Sequence, residues 1–170
     1  MAEVGILEWN SRVELVYGEI IDLAPISPDH AATMNGLGAA LVLACTPYAV
    51  AAIKHPVRLD KWNETVPDAA VLRRRNDNYR YDGHPGPSDL LLLIEVADHS
   101  LQYDHAVKLP LYARSGIVEY WIVNLRDRII EGFRDPGPGG YGTTVKYGAG
   151  DSVALAAMPE IVVPLARAFE

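Results

Sequence analysis

The stretch SDLLLLIEVA, residues 88–97, constrains this chain more than any other. Four leucines and an isoleucine run together with no polar break. A short, near-continuous apolar run bounded by turn residues reads as a strand buried on both faces, in the interior of a layered sheet. Yet Glu95 falls inside it. A lone carboxylate in such a strand loses its hydration and tends to protonate. It stays ionised only where a cation or several donors meet it. A divalent metal is the most effective such partner, since magnesium takes oxygen ligands. An arginine in a buried ion pair is the competitor.

A metal would need a second acid from a neighbouring strand. Asp68, after Pro67 at the start of VPDAAVL, is the candidate in otherwise apolar company. A backbone carbonyl beside Glu95, that of Val96, is the third oxygen to consider. Lys108 follows on a predicted helix, LQYDHAVKLPLYARSG. A lysine there could help deprotonate a water, orient it or offset developing charge. Asp104 and Lys108 stand four apart, so they can share a helix face. We expect Asp104 to position Lys108 rather than to bind metal.

The surrounding chain predicts the scaffold. VELVYGEIIDLAP reads as two short strands about a turn at Tyr17-Gly18. Ser27 or Asp29 would cap a helix with Pro28 in its first turn, running to Thr46-Pro47. Gly36 and Gly38 inside it predict close packing. AIKHPVRL and VPDAAVLRR read as strands, Pro56 hinting at an edge or bulge in the first. The helix from Leu101 would kink at Pro110 and end at Gly116. VEYWIVNL and RDRIIEGFR form a hairpin, Asp135 to Gly142 an exposed connection, and VKYGAGDSVAL and IVVPLARAFE short terminal strands. This order predicts an α/β fold, a mixed sheet packed by helices. Neither polar loop is long enough to split the chain, so residues 1–170 read as a single domain.

Composition narrows the function. The formal net charge of −7 over 170 residues argues against a protein that holds nucleic acid by bulk electrostatics. It leaves room for an enzyme with a locally basic or metal-loaded groove. Arg73, Arg74 and Arg75 form the one compact basic run, which reads as a solvated face. Cys45 is the single cysteine, so no intrachain disulfide can form. The N-terminus carries Glu3 and Glu8 and no basic region of a signal peptide, and no apolar run reaches membrane-spanning length. A soluble, cytoplasmic protein is the expectation. No phosphate-binding loop, dinucleotide fingerprint or nucleophile elbow appears.

Three blocks carry a family resemblance: VELVYGEIIDLAPISPDH, VPDAAVL, and DLLLLIEVADHSLQYDHAVKLPLYARSGIVEYWIVNL. They resemble the Uma2 family of the PD-(D/E)XK nuclease superfamily, over most of the chain. The resemblance implies a restriction endonuclease-like core with added β-hairpins, and divalent-metal-dependent hydrolysis of phosphodiester bonds in nucleic acid, DNA foremost. It implies Mg2+ or Mn2+ held by Asp68, Glu95 and the Val96 carbonyl, Lys108 as the catalytic lysine, and a homodimer. The superfamily places its lysine two residues after the acid, where this chain has Ala97; Lys108 would be that lysine moved to the following helix. Glu19 is similar to the family's N-terminal glutamate, and His30 to a recurrent histidine at the first helix. His30 nonetheless reads as a solvent-facing or capping residue. Two other functions stay in view: a non-catalytic binding or assembly module retaining the fold, and a metal phosphoesterase acting on small nucleotides.

Overall fold

In this computed structural model, residues 11–46 and 48–169 are described; the N-terminal segment read as lacking a signal peptide lies in part outside them, as does Pro47. The buried strand of the sequence is β7 (Leu90–Ala97), and all eight of its residues are buried. It lies inside a six-stranded sheet ordered β10-β9-β8-β7-β6-β3. Its neighbours are β6 (Ala69–Arg73), antiparallel, and β8 (Glu119–Asn124), parallel. β3 (Ala49–Ile53) closes one edge, and the long hairpin of β9 (Ile129–Gly137) and β10 (Gly140–Tyr147) closes the other. The mixed sheet expected from the sequence is therefore present.

Both faces of this sheet are covered, which is why β7 carries no solvent-facing row. On one face α1 (Pro28–Cys45) packs with the hairpin of β11 (Ser152–Leu155) and β12 (Met158–Pro164) over Leu92, Ile94 and Val96. Ser27 caps α1, its hydroxyl accepting from His30 N at 3.1 Å, with Pro28 in the first turn. Gly36 is where the chain's C-terminal turn crosses the helix: a Cβ there would stand 2.0 Å from the Arg167 carbonyl oxygen. Gly38 meets only ordinary contact, 3.6 Å to Ile53. On the other face lie Leu93, Ala97, Tyr112, Tyr120 and Phe133. Glu95 belongs to this second row by strand alternation.

A second sheet, ordered β2-β1-β5-β4, comprises β1 (Val13–Val16), β2 (Glu19–Asp22), β4 (Val57–Asp60) and β5 (Asn63–Thr65). The β1–β2 turn is as predicted, with φ of 52° at Tyr17 and 81° at Gly18, the double positive-φ turn that matches strand twist. The single strand read for AIKHPVRL is corrected. It breaks at Lys54–Pro56, and β3 and β4 enter different sheets. Pro56 lacks a ladder donor, and Lys54 adopts φ 53°, so the chain turns between sheets there. The connection expected at Asp135–Gly142 is also shorter: β9 and β10 run into it and pair from Gly137↔Gly140 onward.

The helix after β7 begins as α2 (Leu101–Tyr103), widens into a π-helical turn at Asp104–Lys108 and resumes as α3 (Leu109–Arg114). The expected kink at Pro110 takes this form. Proline cannot donate to the ordinary i−4 carbonyl, and the wider turn, closed by Leu109 N to Asp104 O, absorbs the mismatch. Gly116 ends the helix at φ 77°, as read. No helix among the described residues is long and apolar enough to cross a membrane.

Candidate active site

The register of the central sheet brings the two predicted acids together. β6 and β7 pair Ala69 with Ile94; one step further along the same antiparallel register sets Asp68 against Glu95. Asp68 (3% exposed) and Glu95 (6%) are both buried. Asp68 Oδ2 accepts from Val96 N at 2.6 Å. Within a strand the N–H and C=O of one residue point to the same side, so the Val96 carbonyl also faces Asp68.

Lys108 reaches the same place from the π-helical turn. Its Nζ donates to Glu95 Oε1 and to Glu14 Oε1, each at 2.8 Å. Tyr112 Oη, one helical turn on, donates to Glu95 Oε1 at 2.8 Å. Glu95 is thus paired with a lysine and a tyrosine, and no arginine among the described residues pairs with it. Asp104 and Lys108 both end up buried, and both line the cavity, as their spacing predicted. Asp104 does not hold Lys108, however; its Oδ2 accepts from Ser100 Oγ at 2.7 Å.

Glu14 was missed by sequence reasoning, which chose Glu19. The strand order explains the difference. β1 is interior to the second sheet, flanked by β2 and β5, and Glu14 (2% exposed) faces inward, accepting also from Val66 N at 2.7 Å. β2 is an edge strand, and Glu19 is exposed on it, away from the cavity. Both glutamates lie on the same face by hairpin register, so sequence alternation alone could not separate them.

His30 and Lys54 complete the cluster. His30 was read as solvent-facing or capping; its ring is instead buried, and Nε2 lies 2.9 Å from Asp68 Oδ1. α1 packs on the sheet with its first turn over the Asp68 end, and that placement is invisible in sequence. Lys54 donates from Nζ to the same Asp68 oxygen. Its left-handed backbone, rare for a residue with a Cβ, is a feature that sequence does not display. The arginine run stays local: Arg75 pairs with Asp77 and Asp82, and Arg73 Nε donates to Ser88 O.

Glu14, His30, Lys54, Asp68, Glu95, Asp104 and Lys108 line one cavity of about 840 Å³, between the two sheets, α1 and the π-helical turn. Its lining is short of positive charge: Glu14, Asp22, Asp68, Glu95, Asp98 and Asp104 stand against Arg12, Lys54 and Lys108, with His30 and His99 beside them. Burial pushes the Glu95 carboxyl up to about 8; Lys108 opposes this, while Asp68, Glu14 and Asp104 add to it. Burial likewise raises Asp104. Burial would also raise Asp68, but the contacts from His30 and Lys54 outweigh it and hold that carboxyl below its ordinary value. For Lys108, burial acts to discharge the amine, but Glu95 and Glu14 prevail and raise its pKa. Lys108 therefore stays protonated at neutral pH.

In this arrangement no group of three His, Cys, Asp or Glu side chains among the described residues is spaced to hold a metal ion. The lysines hold the oxygens that a cation would use. The chemistry of the donors nevertheless fits a hard cation: paired carboxylates, a backbone carbonyl beside them, and an excess of negative charge.

The Uma2 family model, described as "Putative restriction endonuclease", matches residues 5–166. The chain belongs to the Uma2 family. Its fold is also that of a solved structure from Anabaena variabilis ATCC 29413, described as a "putative nuclease belonging to DUF820". The two superpose with a TM-score of 0.74 at 15% identity, covering 98% of this chain and 94% of that one. No curated protein sequence matches the chain. The restriction endonuclease-like fold expected from the sequence stands on this agreement, and family membership supports a nuclease-like function.

Proposed function

We propose that this Uma2 chain is a divalent-metal-dependent endonuclease that hydrolyses phosphodiester bonds in nucleic acid, DNA foremost. The observation that carries the reading is the convergence of Asp68, Glu95 and Lys108, distant in sequence, on one charge-deficient cavity. Asp68, Glu95 and the Val96 carbonyl would hold Mg2+ or Mn2+. When bound, such an ion polarises a phosphate oxygen and lowers the pKa of water.

The protein groups would divide the remaining work. Lys108, held charged by Glu95 and Glu14, fixes the Glu95 carboxylate and presents a positive charge to the reacting phosphate. Tyr112 locks the same Glu95 oxygen and so helps set its rotamer. Glu14 acts through Lys108 and is a positioning residue. Lys54, with 38% of its side chain exposed, would offset charge on Asp68 or on the phosphate. His30 keeps Asp68 oriented.

The test combines activity with a stability readout. Purified protein is incubated with supercoiled and linear DNA, RNA and a nucleotide panel, with Mg2+ or Mn2+. Cleavage of DNA that is lost in Asp68→Asn and Glu95→Gln supports the reading. Mg2+ at ten times its Kd should stabilise the wild type by about 1.4 kcal/mol, raising Tm by about 3–6 °C for a chain of this size, and leave the double variant unmoved. Binding of nucleic acid without turnover, indifferent to both substitutions, would identify a non-catalytic module. Turnover of nucleotides alone would identify a phosphoesterase.

A further inference from the structure

Away from the cavity, the second sheet exposes two aromatic side chains side by side. Tyr17 (48% exposed) sits in the β1–β2 turn and Trp62 (57%) in the β4–β5 turn. Pairing of β1 with β5 brings these turns together. They are tied by Gly18 N to Trp62 O at 2.9 Å and by Tyr17 N to Asn63 Oδ1 at 2.7 Å. Asn63 is buried, and its amide also donates to both Asp60 carboxylate oxygens at 3.0 Å. Gly18 leaves the space beside the indole open: a Cβ there would lie 3.5 Å from Trp62 Cε3. The result is an open cleft of about 500 Å³ lined by Tyr17, Gly18, Trp62 and Asn63.

Each ring carries its own cation. The Arg114 guanidinium lies 5.3 Å from the Tyr17 ring centroid and also donates to the Tyr17 hydroxyl. Lys61 Nζ lies 5.1 Å from the Trp62 centroid. In a chain of net charge −7, this pairing of exposed aromatics with exposed cations is local and built. The neighbouring acids are Asp60, exposed and accepting from Asn63 and Trp62 N, and Glu19 on β2.

We propose that this cleft is a stacking platform for single-stranded nucleic acid, the strand's bases resting on Tyr17 and Trp62 while Arg114 and Lys61 meet its phosphates. Aromatic faces accept any base, and adjoining cations track the backbone; that combination is the chemistry of strand binding without sequence readout. Two features connect the platform to the cavity. Tyr17 follows Glu14 by three positions, about 10 Å of extended chain. Arg114 follows Lys108 by six, about 9 Å of helix. The platform and the acidic cluster thus stand within reach of one bound strand, and the inference deepens the nuclease reading by naming the form of its substrate: a single strand or an unpaired segment.

The test uses the full chain in EDTA, so that binding is read without cleavage. Fluorescein-labelled dT20, rU20 and a duplex of equal length are titrated by anisotropy, with Trp62 emission followed in parallel. The single strands should bind at least about tenfold more tightly than the duplex and quench Trp62 emission. Trp62→Ala and Tyr17→Ala should each weaken strand binding about tenfold, the change carried by one stacked base. Trp62→Phe should restore most of it, and Glu19→Gln should tighten it. The two strand arms decide between DNA and RNA. Equal affinity for duplex, or strand binding indifferent to Trp62→Ala, overturns the proposal. So does a Trp62→Ala variant that changes sedimentation as a dimer would while binding strands normally, since the patch would then be a contact between copies. Failure here with duplex cleavage intact leaves the nuclease standing; strand binding through Trp62 without any cleavage does the reverse.

Discussion

Removing Lys108 probes the cluster most directly. Lys108→Met keeps the length and the apolar stem but deletes the charge between Glu14 and Glu95, which are 2% and 6% exposed. Two charge-assisted hydrogen bonds of 2.8 Å disappear. Where both partners are charged, breaking a buried ion pair from one side costs about 3–5 kcal/mol, because the surviving charge is left uncompensated; Glu95 meets that condition only above its folded pKa. That cost should depend on pH. The Glu95 pKa is raised, to about 8 in the folded wild type, against about 4.3 unfolded. A raised pKa contributes stability that is fully present below the unfolded value and lost as pH rises through the folded one. Lys108 opposes that rise, so the variant's folded pKa should rise further and its loss should continue to higher pH. Near pH 5 Glu95 is protonated in both folded proteins, and the difference shrinks to about 1–2 kcal/mol, that of ordinary hydrogen bonds. Urea denaturation without metal at pH 5, 7 and 8.5 measures this directly. The triple variant Lys108→Met/Glu14→Gln/Glu95→Gln should recover most of the loss at pH 8.5, because neutral amides need no counter-charge. A penalty below about 1 kcal/mol at pH 8.5, the range of an exposed ion pair, or one flat across pH, would refute the account of a charge-deficient buried cluster.

Two further outcomes follow from the geometry. Glu14→Gln should lower kcat about tenfold with KM nearly unchanged, since a positioned charge that strengthens only in the transition state is weakened, whereas Glu19→Gln should leave kcat alone; steady-state cleavage of a labelled substrate distinguishes them, and the opposite ranking would return the role to Glu19. Gly36→Ala should destabilise by about 1–3 kcal/mol through overpacking, because its Cβ would meet the Arg167 carbonyl at 2.0 Å; Gly38→Ala, with only a 3.6 Å contact, should be neutral or stabilising, as comparison of urea midpoints would reveal.

The apolar run around Glu95 made the central strand legible, because burial on both faces leaves no choice of composition along it. Glu95 was legible for the same reason, and Asp68 as a second acid in apolar company, since a carboxylate in an apolar strand needs partners; Lys108 was singled out by the family resemblance. The hairpin at Tyr17-Gly18 and the cap at Ser27 were equally local, fixed by turn and helix-end chemistry within a few residues. Glu14, His30, Lys54 and Tyr112 were not legible as members of the cluster. Each is an ordinary residue in its own neighbourhood and acquires its meaning from an element far away in sequence. Glu14 depends on β1 lying between β2 and β5, His30 on where α1 settles over Asp68, and Lys54 on a left-handed turn between two sheets. Tyr112 depends on the phase of the π-helical turn before it. Local composition dictates which segments must be buried and which charges must find company; strand order, register and helix docking decide which partners they find, because those are set by the free energy of the whole packed core.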